Sequence, residues 1–170
     1  MDDLICEIRS LLELGYEGGY WDFKSDYPDK NKKEDKLHDI ICMANNLEDR
    51  DAYLIYGAND DGTIKGIQNT EKQRLKTADF IKFLRDKNFA GGFIPDIKLQ
   101  TIVIDNNELD ILIIRRGKHT PYYLQKDYYE SSPKEKLRAG AIYTRTADIN
   151  TPKEQIEAAT IEVKRIEEEN

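Results

Sequence analysis

No stretch of this 170-residue chain approaches the roughly 18 consecutive apolar residues that a membrane-spanning helix needs. A helical membrane span is excluded on that ground. The opening Met1-Asp2-Asp3-Leu4 is acidic and lacks the basic and then apolar pattern of a secretory signal, so the expectation is a cytoplasmic protein. Cysteine is scarce. Cys6 and Cys42 are its two examples, each among apolar residues of a predicted helix. They read as buried free thiols in a reducing compartment, against a disulfide or cysteine metal centre. No Gly-x-x-x-x-Gly-Lys-Ser/Thr loop occurs, so nucleotide-triphosphate chemistry of that type has no sequence support. An excess of positive charge is also missing. The net charge of -7 argues against indiscriminate nucleic-acid binding, which runs on basic surface.

What is present is ample for a core. Apolar residues make up 39% and charged residues 35%, the balance of a globular domain with a busy surface. Charge is unevenly spread: -8 over residues 1–60, +4 over residues 61–150 and -3 over residues 151–170. A modestly basic middle lies between two acidic ends. No internal repeat and no long linker divides the chain.

Leu4, Ile5, Ile8, Leu11 and Leu12 recur at helical spacing, which predicts a helix over 2–14 closed by Gly15. Tyr20–Lys24 alternates like a strand, and Leu37, Ile40, Ile41 and Ala44 predict a second helix over 34–46. The apolar, β-prone run 51–57 reads as a buried strand. The Asn59-Asp60-Asp61-Gly62 turn then leads to a second strand over 63–67. A helix over 71–88, a long hairpin of 97–104 and 108–115 around Asn106-Asn107, and short extended pieces at 121–123 and 141–145 follow. Residues 126–138 read as a surface loop. Thr151-Pro152-Lys153-Glu154 has the form of a capping box, which predicts a C-terminal helix running into an acidic end. The fold class is α+β: a single domain with a mainly antiparallel mixed sheet flanked by helices, over residues 1–152, with 153–170 as C-terminal helix and acidic end.

Three carboxylates stand at the edges of these elements: Glu17, Asp22 and Asp60. Acids brought to one cleft bind Mg²⁺ or Mn²⁺, and such cations assist phosphodiester cleavage. The same residues serve equally as turn formers, a strand-edge residue and a solvated acid. Lys24 is placed to offset their mutual repulsion.

The motifs Glu17, Asp22-Phe23-Lys24, Met43-Ala44-Asn45-Asn46, Ile55 to Gly62 and Ile64-Lys65-Gly66-Ile67 occur in order. Pro121-Tyr122-Tyr123, Ala141 to Arg145 and Asn150-Thr151-Pro152 follow them. In this order and spacing the chain resembles the Schlafen AlbA-like domain family, a nucleic-acid-binding family, over about residues 15–152. The resemblance implies an α+β Schlafen AlbA-like fold and a metal-dependent endoribonuclease acting on structured RNA such as tRNA. It carries the catalytic and metal-binding roles onto Glu17, Asp22 and Asp60 with Mg²⁺ or Mn²⁺ as cofactor. A non-catalytic DNA- or RNA-binding module, or a protein-interaction domain, of the same fold is the alternative. Vertebrate Schlafens carry two such lobes around an RNA groove, so the single lobe here implies a homodimer. This chain departs from the family pattern in having Asp22 where Glu is usual, an acidic turn 47–51 in place of Gly-Gly, and Asn59 in place of the first Asp.

The densest basic cluster is Arg115-Arg116-Gly117-Lys118-His119. Arg115, Arg116, Lys118 and His119 are candidates to grip a nucleic-acid backbone, RNA favoured over DNA, as are Lys24 and Arg145. A solvated loop or an internal salt bridge accounts for the same residues. His38 reads as exposed on its helix, Tyr122, Tyr123, Tyr128 and Tyr129 as packing or stacking rings, and Asn45 as a helix-end or turn-holding residue.

Overall fold

The structure, a computed structural model, describes residues 2–130 and 132–153. The C-terminal helix expected beyond Lys153 lies outside the described residues. Ile8, Leu11 and Leu12 are the buried stripe of α1 (Asp2–Leu14), three and four residues apart as a helix face requires. Gly15, at φ +75°, ends it, its N–H donating to Leu12 O at 3.1 Å. Cys42 is buried as expected, but Cys6 sits on the exposed side of α1; both are free thiols.

β1 (Trp21–Lys24) and β2 (Ala52–Tyr56) run parallel, joined by α2 (Lys33–Ala44). After α3 (Thr77–Arg85), β3 (Ile97–Ile104) and β4 (Asn107–Ile114) form an antiparallel hairpin, and β4 inserts beside β2. The sheet order is β1-β2-β4-β3, so two of its three interfaces are antiparallel, the mixed α+β arrangement the sequence predicts. Successive residues of a strand face opposite sides. Tyr53 and Ile55 join Trp21, Phe23 and the α1 stripe on one face. Leu54 and Tyr56 join Leu37, Ile40 and Ile41 of α2 and Phe80 and Leu84 of α3 on the other. Helices cover both faces, which is why β2 is apolar throughout rather than alternating. On β1 the same alternation turns Asp22 and Lys24 toward α2.

Several elements differ from expectation. Residues 63–67 make one bridge, Ala58 to Ile64, instead of a strand. Gly57 and Gly66, both at positive φ, bend the chain so that the N–H groups of Lys65 and Gly66 converge on Gly57 O at 2.8 Å each. The helix expected over 71–88 starts at Thr77, because the Asp79 carboxylate accepts from Lys76 N–H at 2.8 Å and closes the first turn there. The hairpin turns at Asp105-Asn106, one residue earlier than expected, with φ of 51° and 64°. A two-residue turn of this hand demands positive φ at both positions, which Asp and Asn tolerate. Residues 126–138 are not a plain surface loop: Leu137 is buried, and mutual 2.9 Å bonds between Tyr128 and Leu137 close a small loop over the core. A second sheet, β5 (Arg145–Thr146) with β6 (Ile149–Asn150), was not foreseen. Its strands are two residues long and show no periodicity.

Candidate functional site

Glu17 and Asp22 meet because the chain doubles back on itself. Gly18 N–H donates to Trp21 O at 3.2 Å, and a side chain at Gly18 would collide with the Trp21 ring. The reversal lays Glu17 along the free edge of β1, where its carboxyl accepts the Phe23 N–H at 2.8 Å. Burial pushes the Glu17 carboxyl up to about 8, and a hydrogen bond and like charge from Asp22 add to it. Burial also opposes ionisation of Asp22. It is outweighed by the hydrogen bond from Glu17 and by Lys24 and Arg145, so Asp22 sits below the ordinary carboxylate range. At neutral pH the pair therefore holds one proton, on Glu17, and one charge, on Asp22.

Two cations meet that charge. Lys24 Nζ lies 2.9 Å from one Asp22 oxygen and Arg145 Nη2 lies 3.4 Å from the other. Arg145 is 3% exposed and donates also to Gly18 O at 2.9 Å, Trp21 O at 3.2 Å and Asn150 Oδ1 at 3.1 Å. Lys24 continues to Asp39 on α2 at 3.0 Å, and Asn150 Nδ2 donates to the other Asp39 oxygen at 3.1 Å. Burial disfavours the Lys24 ammonium, but Asp39 and Asp22 outweigh it and raise its pKa. The result is a ring of two acids and two bases that ties β1, α2 and the β5–β6 pair together. His38, expected to be exposed, is half-buried: its Nε2 lies 2.7 Å from Thr151 O and its ring stands edge-on to Tyr143. Burial lowers its pKa.

Asp60 stands apart from this ring. It is exposed in the turn after β2 and makes no hydrogen bond or ion pair among the described residues. Its neighbour Asp61 holds the turn instead, accepting from Thr63 N–H at 3.0 Å and Thr63 Oγ1 at 2.6 Å. Among the described residues no three His, Cys, Asp or Glu side chains are grouped to hold a metal ion. The donor chemistry agrees. Both Asp22 oxygens are taken by Lys24 and Arg145, whereas Mg²⁺ and Mn²⁺ require open, ionised oxygens. As placed, Glu17, Asp22 and Asp60 do not fit a divalent cation.

The basic candidates divide in the same way. Arg145 is buried, and Lys24 is half-buried and held by Asp22 and Asp39. Arg116 forks onto Asp49 at 3.0 and 2.9 Å while its N–H donates to Asp51 at 2.7 Å, so the acidic turn 47–51 has a partner. Arg115 lies 3.8 Å from Asp96. Lys118 and His119 remain exposed, and the His119 ring lies flat on Phe93, centroids 3.6 Å apart and planes 7° from parallel. Phe93 is 48% exposed. Tyr122 is buried, and Asn45 does more than end α2. Its amide donates to Tyr122 O at 2.8 Å and Tyr143 O at 3.0 Å and accepts from Tyr122 N–H at 2.8 Å. Sequence reasoning missed Asp39 and Asp110. Asp110 is 1% exposed and fully satisfied by Arg74, Thr101 and Tyr27. Its signal was an acid inside the apolar run of β4.

The family model described as Schlafen, AlbA_2 matches residues 17–154, which include the whole Glu17–Asp22–Arg145 ring. The chain belongs to this family. Membership gives the Schlafen AlbA_2 domain a nucleic-acid-related role. Among solved structures it is similar to the DIP2311 protein from Corynebacterium diphtheriae, with a TM-score of 0.50 at 18% identity. The match covers 89% of this chain and 26% of that one, so this domain spans about a quarter of the longer protein. At that identity the likeness shows the fold alone. No curated protein matches the chain. Among the described residues of this Schlafen AlbA_2 domain, no helix is long and apolar enough to cross a membrane.

Proposed function

We propose that this Schlafen AlbA_2 domain binds nucleic acid, RNA in preference to DNA, on the surface formed by Phe93, Lys118 and His119, and holds it without cutting. The observation that supports this most directly is the exposed Phe93–His119 stack beside a lysine that has no carboxylate partner among the described residues. Exposed ring faces stack unpaired bases, and an adjacent ammonium takes the phosphate between them. Unpaired bases belong to loops and ends of folded RNA more than to duplex DNA, hence the preference. Arg115 and Arg116, engaged by Asp96 and Asp49, add charge at the rim.

The acids support the same reading. With Asp22 bound by Lys24 and Arg145, the ring fastens the β1 edge to the segment that follows Tyr143. We propose a homodimer as the binding unit, since two domains present two ring platforms to one RNA. Sedimentation that finds a strict monomer with RNA bound one to one removes that element.

A mobility-shift titration with a tRNA hairpin tests the main reading. Binding is expected to prefer the looped hairpin over its blunt duplex and to weaken steadily as salt rises. Retention that ignores salt, or no retention at low salt, overturns it. The same protein incubated with tRNA and Mn²⁺ tests the cleaving alternative. Cleavage that Asp60→Ala abolishes would establish a metal-dependent endoribonuclease and return Glu17, Asp22 and Asp60 to that role.

A further inference from the structure

Between the loop that follows β1 and the segment that precedes α3 lies a cavity of about 440 Å³. Lys30, Lys32, Lys33, Lys36 and Lys72 line it, against the two acids Asp29 and Glu71. Two of the lysines are already engaged. Lys72 pairs with Asp29 at 3.1 Å and donates to Tyr27 O at 2.8 Å, and Lys33 pairs with Glu130 at 3.2 Å.

The other three form no salt bridge among the described residues. Lys30 and Lys32 are exposed. Lys36 is half-buried, with its ammonium 4.0 Å from the centre of the Phe83 ring and 5.7 Å from that of Phe80. Burial holds its pKa below the ordinary lysine value, Lys33 and Lys87 depress it further, and the carboxylates of Asp79 and Glu130 offset this in part. Elsewhere Lys24 has Asp22 and Asp39, Arg74 has Asp110, and Arg145 has Asp22, while buried Lys87 lies over the Phe83 and Tyr128 rings. Lys30, Lys32 and Lys36 thus bring three ammonium groups without a salt bridge to one hollow in a chain of net charge -7.

We propose that this cavity is a binding site for a phosphate-dense anion, two or three linked phosphate groups, held by Lys30, Lys32 and Lys36. The volume falls within the ~300–1,000 Å³ of small-molecule sites and exceeds what one phosphate fills. Ammonium groups on flexible stems suit clustered phosphate oxygens as point-charge donors. Asp29 is paired with Lys72, which leaves Glu71 against Lys30, Lys32 and Lys36, a positive balance in the hollow. The apolar wall of Pro28 and Leu75 accommodates what the phosphates are attached to. Two sources carry such a group: the 5′ end of an RNA strand and a free polyphosphate. The first rests on the nucleic-acid reading above, and the second stands without it.

Calorimetric titration of the full chain with inorganic tripolyphosphate tests the site. Saturable binding at one site per chain is expected, weakened about tenfold by Lys36→Met and about tenfold by Lys32→Gln, the effect of one charge-assisted contact. Lys32 is exposed, so its substitution keeps the test decisive if Lys36→Met fails to fold. Lys118→Gln, on the Phe93–His119 surface, is expected to leave tripolyphosphate affinity unchanged. Absence of saturable binding, or equal loss in Lys118→Gln, overturns the site. A 5′-triphosphorylated hairpin that binds about tenfold more tightly than its 5′-hydroxyl form, with the difference erased in Lys32→Gln, assigns the site to strand ends. Equal binding of the two hairpins alongside tight tripolyphosphate binding assigns it to a free anion. Loss of all hairpin binding with tripolyphosphate binding intact means that the nucleic-acid reading has failed and the site has not.

Discussion

The ammonium of Lys24 lies 2.9 Å from the carboxylate of Asp22, two residues earlier on the same strand and on the same face of the sheet. That contact is the centre of a ring in which each charge has a partner: Asp22 with Lys24 and Arg145, Lys24 with Asp39. A divalent cation at Asp22 has to displace both bases. The ring gives the site a structural role that substitution can weigh.

Asp22→Asn removes the one charge that faces both Lys24 and Arg145. Arg145 is 3% exposed, shielded from bulk solvent. Taking one partner from a buried pair leaves an uncompensated charge and costs about 3 kcal/mol. Urea unfolding is expected to show that loss. A change below about 0.5 kcal/mol, the scale of an unremarkable surface substitution, would mean that the ring contributes nothing to the fold.

Glu17 predicts a pH dependence of defined sign. Folded, it titrates at about 8 instead of its ordinary 4.5. Between these values the folded chain keeps a proton that the unfolded chain has lost. The contribution is intact below the unfolded value and is lost as pH rises toward the folded one. The urea midpoint is expected to fall from about pH 5 to about pH 8 and level off above, and Glu17→Gln is expected to flatten that slope. Asp22, held low, acts in the opposite sense: its contribution is lost only as pH drops below the ordinary aspartate range. A slope that survives Glu17→Gln places the proton elsewhere.

The same residues show what could be read in advance. Alternation along Trp21–Lys24 already put Asp22 and Lys24 on one face, and helical spacing displayed the buried stripe of α1. Family motifs marked both Arg145 and Asp22 but not that they pair. Asp22 lies 123 residues away in sequence, and two-residue strands carry no period that reveals their pairing. Residues 63–67 have strand composition, yet Gly57 and Gly66 impose positive φ and the tertiary bend wins. The Phe93–His119 stack joins two loops, and loop-to-loop contacts have no local signature. Asp60 is the reverse case: a motif match at a position with no partner among the described residues.

Asn45 is expected to be among the most sensitive polar positions. Its amide satisfies Tyr122 O, Tyr143 O and Tyr122 N–H, three buried backbone groups on two later segments. Asn45→Ala strands all three, at about 1–3 kcal/mol for a buried group left unpaired. Thermal unfolding is expected to shift down by several degrees at least. Asn45→Asp keeps the acceptor and loses both donors, so it should not restore stability. Recovery by Asp would mean that the Tyr122 N–H contact alone matters.

Asp60→Ala is expected to leave stability within about 0.5 kcal/mol of the wild type, as for an exposed residue without partners among the described residues. The variant also tests the metal. A cation held by Glu17, Asp22 and Asp60 binds the folded chain alone and stabilises it by about 2.7 kcal/mol at a hundredfold excess over its dissociation constant. Mn²⁺ is expected to move the melting temperatures of wild type and Asp60→Ala by the same amount. A shift confined to the wild type would show that the acids rearrange to take a metal.

The ring platform can be separated from general charge by combining two measurements. Stacking one base on an aromatic side chain is worth about 1–3 kcal/mol by alanine substitution, so His119→Ala and Phe93→Ala are each expected to weaken hairpin RNA binding by about tenfold or more. The two rings lie on each other, and removing either spoils the platform. The double variant should therefore bind little worse than the weaker single one, the non-additivity of groups in contact. Lys118→Gln acts differently. It removes one phosphate contact and is expected to lower the slope of log affinity against log salt by about 0.7, the single-strand value. Phe93→Ala leaves that slope unchanged, because a phenyl ring neutralises no phosphate and its loss releases no counterion. A Phe93 variant that changes the slope, or additive ring effects, would show that Phe93 and His119 act through the shape of the loop and not by stacking bases.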